Sequence, residues 1–137
     1  MPAPDASLPD GQSARRRRVL IVDDDVLLGR TMQRLLEPTF VVETEREPAV
    51  ALARIGRGER FDAILCDLMM PGLSGGEFAS RLTEIAPHLA ARCGFVTGGA
   101  ASDRTEAFCR TIPSERILTK PFAIDDLLAL VERLLAA

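Results

Sequence analysis

The stretch AILCDLMMPG, residues 63–72, decides the fold. Four apolar residues lead directly into Asp67, and a Pro-Gly pair follows. A short apolar run that stops at a turn signal predicts a strand buried on both faces, with Asp67 at its carboxyl end. In open α/β sheets that edge is where ligands bind. Asp67 is therefore either the cap of the next helix or a residue with a chemical role, and this stretch alone leaves both open.

A second stretch, RVLIVDDD at residues 18–25, repeats the pattern with Asp23, Asp24 and Asp25 at its end. If the two strands are parallel neighbours, the carboxylates converge at one edge of the sheet. Such a group repels itself unless a cation compensates, and a ligand set made only of oxygen atoms favours a hard ion such as Mg²⁺. Asp25 is also well placed to cap the helix that follows.

Length and composition indicate one soluble domain. The chain has 137 residues, of which 47% are hydrophobic, so most of it is expected to fold. No apolar run approaches the ~18 residues that span a bilayer, and the first residues lack a secretory apolar core. We expect a cytoplasmic protein without membrane contact. The three cysteines lack metal-type spacing and are expected to be buried reduced thiols.

The charge is unevenly spread along the chain. The formal net charge is -3, but four arginines stand at residues 15–18, and the part after them carries 13 basic and 18 acidic residues. A domain with that balance is a poor general binder of nucleic acid. The arginine run could contact nucleic acid or an acidic partner, but we interpret it as the solvated end of a linker.

The alternation of predicted elements defines the fold class. Residues 1–16, rich in Pro, Ala, Ser and Gly, are expected to form a flexible tail, and residues 17–137 one domain. Strands are predicted at 19–22, 40–44, 62–66, 94–97 and 116–119, and helices at 26–37, from 48 to a stop at Gly56 or Gly58, and at 75–86, 102–110 and 125–135. Five parallel strands alternating with five helices indicate a flavodoxin-like doubly wound α/β sandwich of strand order 2-1-3-4-5, which places the first and third strands side by side.

Two more strand ends add polar groups to the same edge. Thr97 closes the fourth strand in FVTGG, and Lys120 closes the fifth in ILTKPF. Together with Mg²⁺ held by Asp23 and Asp24, a hydroxyl and an ammonium would surround Asp67 with groups suited to a tetrahedral dianion. Because carboxylates can form aspartyl-phosphate, the pattern predicts a phosphoryl group carried on Asp67. The alternative is that Lys120 is a surface residue and Thr97 an ordinary strand hydroxyl.

Four motifs in this order resemble the receiver domains of bacterial two-component response regulators. They are DDD at 23–25, D-x-x-M-P-G at 67–72, T-G at 97–98 and K-P-F at 120–122. The resemblance covers residues 17–137. Each motif is weak alone, but the four together with these intervals are highly specific.

The resemblance implies roles for individual residues and identifies partners. Asp67 would accept phosphate from the phosphohistidine of a histidine kinase or histidine phosphotransfer protein, and Thr97 and Lys120 would bind the phosphoryl oxygens. The Mg²⁺ ligands would be Asp24, Asp67 and the backbone carbonyl of Met69, with Asp23 helping largely through water. In this family the peptide bond before Pro121 is commonly cis.

Two positions depart from the family pattern. Receivers usually carry Tyr or Phe three residues before the lysine, where this chain has Ile117, so the usual aromatic readout of phosphorylation is in question. Met69 replaces a residue that is often polar, and altered dephosphorylation is expected. The FVTGGA stretch and Ile117 also resemble receivers fused to hybrid histidine kinases, so a stand-alone regulator and a hybrid-kinase module both stay open.

No output domain is expected in this chain, so output would travel through contacts, and we predict that the protein is not an enzyme beyond its own phosphorylation and dephosphorylation. Leu128 and Leu135 lie off the main apolar face of the last predicted helix. If exposed, they would form a patch for a homodimer or a partner. His88 is expected to be an ordinary exposed loop residue.

Two other functions fit parts of the sequence. A haloacid-dehalogenase-type phosphatase would use the series Asp23, Asp25, Thr97, Lys120 and Asp125 with Asp126. That interpretation leaves Asp67 without a role, and acids in the first turn of a helix are favoured by its dipole. The second alternative is a receiver fold that only binds partners and is never phosphorylated.

Overall fold

The computed structural model describes residues 16–70, 73–98 and 103–137, and these contain five strands and six α-helices. The strands are β1 (Arg18–Val22), β2 (Val41–Glu45), β3 (Ala63–Asp67), β4 (Cys93–Thr97) and β5 (Ile117–Thr119). The helices are α1 (Val26–Leu36), α2 (Pro48–Gly56), α3 (Gly75–Ile85), α4 (Pro87–Ala90), α5 (Asp103–Arg110) and α6 (Ile124–Ala136). The predicted tail, apart from residue 16, lies outside the described residues, as does the predicted start of the fourth helix at residue 102.

The strands form one parallel sheet of order β2-β1-β3-β4-β5, which confirms the predicted fold class. In the register of the sheet, Val22 pairs with Cys66 and Asp67 pairs with Val96. The residues that follow β1 therefore lie beside the last residue of β3. This is the adjacency that the carboxylate hypothesis requires.

Helices cover both faces of the sheet, which explains why its central strands are almost continuously apolar. All five residues of β3 and of β4 are buried, as are four of the five in β1. On one face, Met32 of α1 and Leu130 of α6 pack against the sheet. On the other, Leu52 of α2 and Phe78 of α3 do the same. Parallel strands buried in this way read as apolar runs rather than as alternating patterns.

Two helix starts, those of α1 and α3, follow from side-chain capping. Asp25 precedes α1, and its side chain accepts a hydrogen bond from the Leu28 N–H at 3.1 Å, as predicted. Ser74 and Glu77 form a capping box at the start of α3, each side chain bonded to the backbone of the other.

Within the described ranges, no helix has the length and apolar character that crossing a membrane requires.

The structure has one helix more than the five predicted. Pro87 does follow the end of α3, but it also begins the four-residue helix α4, because proline suits the first position of a helix. His88 lies exposed on that helix rather than in a loop. On α5, Ala107 is exposed, so the apolar face of this helix is thin.

One aromatic contact ties α5 to the sheet. The half-buried ring of Phe108 meets Phe95 of β4 edge to face, with ring centroids 5.0 Å apart and planes at 83°. Such pairs contribute ~0.5–1.5 kcal/mol beyond the area they bury. Cys109 and Ile112 add partly buried surface beside this ring.

The last helix behaves differently from its prediction in one respect. Its main face is buried as expected, through Leu127, Leu130, Val131 and Leu134. Leu128 and Leu135, however, are half-buried and pack against the same core, so the expected exposed patch is not formed by them. A leucine side chain is long enough to contact the core from a position beside the buried face of its helix. A homodimer through this helix stays a prediction, but these two leucines do not provide an exposed patch for it.

The described arginines of the run, residues 16–18, each make a defined contact although Arg16 is exposed and the other two are half-buried, so a purely solvated linker end is too simple a description of them. Arg16 contacts the Phe40 carbonyl at 2.8 Å, Arg17 the Asp62 carboxylate at 3.7 Å, and Arg18 the carboxylate of Glu43 in β2. The guanidinium of Arg18 also lies 4.8 Å from the centre of the Phe61 ring. These contacts join β1 to the elements on either side of it.

We predict that Gly94→Ala destabilises the domain by ~1–3 kcal/mol, the usual effect of overpacking a core. A β-carbon on Gly94 of β4 would lie 3.0 Å from a methyl group of Leu134 and 3.3 Å from two of Leu130, all on α6. Gly56→Ala is the control, because nothing lies within 4 Å of its β-carbon and alanine favours a helix. Urea unfolding followed by circular dichroism measures both, and equal stabilities would contradict this account of the packing.

Candidate functional site

Asp67 stands at the carboxyl edge of the sheet, where the chain leaves β3. Its side chain is 5% exposed, and its Oδ1 accepts a hydrogen bond from the Met69 N–H at 3.1 Å. The Lys120 ammonium lies 4.0 Å from the same oxygen. Asp67 therefore combines a fixed carboxylate with a nearby positive charge, and it does not cap α3, which Ser74 caps.

The carboxylates of Asp23, Asp24 and Asp67 converge as predicted. Each offers an oxygen to a group in which all three oxygens lie within 4.8 Å of one another. Asp23 and Asp67 are buried and Asp24 is exposed, so the cluster opens to solvent on one side. The adjacency of β1 and β3 is what brings residues 44 positions apart to one place.

The two buried carboxylates are held in the same way. The Asp25 N–H donates to Asp23 Oδ1 at 2.9 Å, as the Met69 N–H does to Asp67 Oδ1. In each case an aspartate accepts from the residue two positions later, which is the pattern of an Asx turn. Two short turns therefore fix the buried acids on the loops that follow neighbouring strands.

The environment of Asp23 disfavours its charge. Burial raises the pKa of this carboxyl from 3.8 to about 6, opposed by the Asp25 N–H and assisted by the neighbouring carboxyl of Asp67. Among the described residues, nothing donates a hydrogen bond to the buried Asp23 Oδ2. A buried, charged oxygen without a donor is the kind of atom that a cation would satisfy.

The donor set fits a hard divalent cation. All three side chains offer carboxylate oxygens, without histidine or cysteine in the group. Oxygen ligands suit Mg²⁺ and Ca²⁺, and a site open to solvent suits Mg²⁺, which keeps several waters. The residues at this edge therefore form a site that could hold a metal ion.

Thr97 and Lys120 border the same edge. Thr97 is the last residue of β4 and is buried, and Lys120 follows β5. The Lys120 N–H donates to the Thr97 carbonyl at 2.8 Å, which ties the two strand ends together. The peptide bond between Lys120 and Pro121 is cis, as the resemblance implied. Ile117, at the start of β5, is half-buried.

Residues that the phosphatase alternative requires are used elsewhere. Asp25 caps α1 through its side chain. Asp125 and Asp126 both lie in the first turn of α6, and Asp126 accepts a hydrogen bond from the Ala123 N–H at 3.3 Å. The acidic residues of that series therefore lie at helix starts. Stabilisation of a helix start explains their presence there without a catalytic role.

The described cysteines offer no ligand to the acidic cluster, although Cys66 directly precedes Asp67. Cys66 and Cys93 are buried, and burial raises the pKa of both thiols, that of Cys93 to about 12. Both stay protonated at neutral pH for that reason. Cys109 is half-buried rather than buried.

One feature of the site was missed from the sequence. Four of the seven large apolar side chains that are exposed in the described part of the chain follow the strand ends that carry the polar residues: Val26, Leu27, Met69 and Ile124. Leu27 is the most exposed of them, at 76%. The pair Val-Leu directly after the three aspartates could have predicted this feature, because Leu27 does not lie on the buried face of α1.

The fold is a flavodoxin-like α/β sandwich. An acidic cluster, a hydroxyl and an ammonium lie at the carboxyl edge of its sheet. The family described as "Response regulator receiver domain" matches residues 19–132. The response regulator receiver protein CpdR of Brucella abortus is 31% identical over 127 residues, which cover 88% of this chain and 98% of that protein. The chain belongs to the receiver domain family of two-component response regulators.

Solved structures and longer relatives agree with this. A CheY-like receiver domain protein from Methanospirillum hungatei has a TM-score of 0.77 and 28% identity, covering 89% of this chain and 95% of that one. The transcriptional regulatory protein TcrA of Mycobacterium tuberculosis is 31% identical over 82% of this chain but only 43% of its own length. The virulence sensor protein BvgS of Bordetella pertussis is 35% identical, and the match covers 80% of this chain and 9% of BvgS.

We predict that Asp23→Asn stabilises the metal-free domain at pH 7 by about 2–3 kcal/mol, at 1.36 kcal/mol for each unit of pKa. A carboxyl whose pKa rises on folding binds more protons in the folded state between pH 4 and 6, so the contribution of Asp23 to wild-type stability falls as pH rises through that window. In Asp23→Asn this fall should disappear.

Thermal unfolding in a chelator between pH 4 and 8 measures this difference. Asp24→Asn is the matched control, because Asp24 is exposed and its charge costs less. An Asp23→Asn variant less stable than the wild type at pH 7 would contradict the expected penalty for the buried charge.

Proposed function

We propose that this receiver domain accepts a phosphoryl group on Asp67 from the phosphohistidine of a histidine kinase or histidine phosphotransfer protein. Mg²⁺ would be held by Asp23, Asp24, Asp67 and the Met69 backbone carbonyl. The observation that carries the proposal is the meeting of three carboxylates within 4.8 Å of one another, one of them 4.0 Å from the Lys120 ammonium. Ionisable groups that share a cleft with opposite and like charges are typical of functional sites.

The transfer itself is a displacement at phosphorus. An Asp67 carboxylate oxygen forms the new P–O bond, the P–N bond to the donor imidazole breaks, and the ring keeps the electron pair and takes up a proton. The Lys120 ammonium and the Thr97 hydroxyl would contact the transferred oxygens. When bound, Mg²⁺ supplies positive charge that offsets the charge on those oxygens.

The exposed apolar residues at this edge support docking of a protein donor. Leu27, Val26, Met69 and Ile124 are 43–76% exposed beside a charged centre that must be reached by a histidine side chain. Burying such a rim against an apolar partner surface would hold the donor while the charged groups select the phosphoryl group. We therefore propose that this rim binds the phosphodonor protein.

We predict that acetyl phosphate with millimolar Mg²⁺ adds one phosphoryl mass to the protein and that Asp67→Asn abolishes the addition. Asp25→Asn is the matched control, because Asn can still cap α1, and it should be labelled like the wild type. Intact-mass spectrometry measures all three.

Other outcomes separate the alternatives. A protein that takes no label and shows no Mg²⁺-dependent change in melting temperature would support the binding-only module. Turnover of phosphate esters that survives Asp67→Asn would support the phosphatase.

We predict that Leu27→Ser slows phosphotransfer from a cognate histidine kinase by about tenfold, since burying a leucine contributes ~1.5–3 kcal/mol. Labelling by acetyl phosphate should be unchanged, because the small donor needs no docking surface. Ile85→Ser is the control: this residue is 48% exposed but ends α3, at the opposite edge of the sheet. Equal transfer rates for the two variants would show that the rim does not bind the kinase.

A further inference from the structure

Gly75, the first residue of α3, lies directly against the residue that follows Asp67. A β-carbon built on Gly75 would overlap Cδ2 of Leu68 and lie 3.1 Å from the Leu68 Cα, which is a backbone atom. Leu68 is 5% exposed, so its side chain has little room to turn away. The start of α3 and the end of β3 thus touch through a position that has no side chain.

Backbone conformation does not explain why this residue is glycine. The φ angle of Gly75 lies outside the left-handed region, unlike that of Gly58 at 101°. Within a helix, alanine is favoured over glycine by ~0.5–1 kcal/mol. The lack of a side chain is therefore required by space, at the contact with Leu68.

Both ends of this contact are firmly attached. On the strand side, the Leu68 N–H donates to the Val96 carbonyl at 2.9 Å, which extends the pairing of β3 with β4 past Asp67. On the helix side, the capping box of Ser74 and Glu77 fixes the first turn of α3. Neither side can yield freely, so the contact sets the distance between the end of β3 and the start of α3.

We propose that Gly75 is a positioning residue for the phosphoryl and metal site. The proposal rests on the proposed function and deepens it. The close approach of Gly75 to Leu68 holds the turn that begins at Asp67, and in that turn the Met69 N–H donates to Asp67 Oδ1 at 3.1 Å. A side chain at position 75 pushes Leu68 outward and carries Met69 with it, away from the geometry that aligns the Asp67 carboxylate and the Met69 carbonyl.

The neighbouring Gly76 provides a matched control. It occupies the next position of the same helix turn, so Gly76→Ala makes the same chemical change with the same gain in helix propensity. Its β-carbon would lie 3.3 Å from the ring of Phe108, which is half-buried and can move. That contact involves a side chain of α5 rather than the backbone beside Asp67.

The test measures Mg²⁺ affinity by titration calorimetry, with Mg²⁺ alone as the ligand. For Gly75→Ala we expect a Kd about tenfold higher than in the wild type and a shifted amide resonance of Met69, in a protein that keeps its circular dichroism spectrum. For Gly76→Ala we expect a Kd within twofold of the wild type. A merely structural role would lower the melting temperature without changing the Kd of the folded protein.

A second variant serves if Gly75→Ala does not fold. In Leu68→Ala/Gly75→Ala the overlap with Cδ2 is removed while the contact with the backbone of residue 68 remains, so we expect a folded protein whose Kd is at least threefold higher than that of the wild type. A Kd within twofold of the wild type, in whichever of these variants folds, overturns the proposal. If the wild type itself binds no Mg²⁺, the proposed function fails instead, and the two failures are distinguishable.

Discussion

The burial of like charges at one edge of the sheet is the constraint on which this structure depends. Asp23 and Asp67 are 4% and 5% exposed and share a cluster with Asp24. Charges in such an environment interact more strongly than in water, and their desolvation opposes ionisation. Lys120 supplies partial compensation at 4.0 Å from Asp67. The fold stabilises this edge through the apolar core beneath it, formed by helices packed on both faces.

Much of this arrangement could be predicted because it depends on local signals. The apolar runs before Asp23 and Asp67 have the length of buried strands, and parallel strands put their carboxyl ends at one edge. Once the strand order was inferred, the meeting of the carboxylates followed. The cap formed by Asp25 was also readable, because its chemistry involves only the next three residues.

Other features could not be read in this way, since they depend on which surfaces meet. Leu128 and Leu135 lie off the apolar face of α6, yet both pack against the core as partly buried side chains. The anchoring of Arg16 required knowing that the end of α1 lies beside the start of β1. The role inferred for Gly75 depends on its contact with Leu68, which the hydrophobic pattern of the sequence cannot predict.

The attachment of α5 has a consequence for motion in this domain. Separating α5 from the sheet exposes the half-buried Phe108 with parts of Cys109 and Ile112, whereas separating α6 exposes four fully buried aliphatic side chains. The free energy of local opening rises with the apolar area that becomes exposed to water. Separating α5 from the sheet therefore costs less free energy than separating α6. The described contacts therefore favour rearrangement on the α5 side over rearrangement on the α6 side.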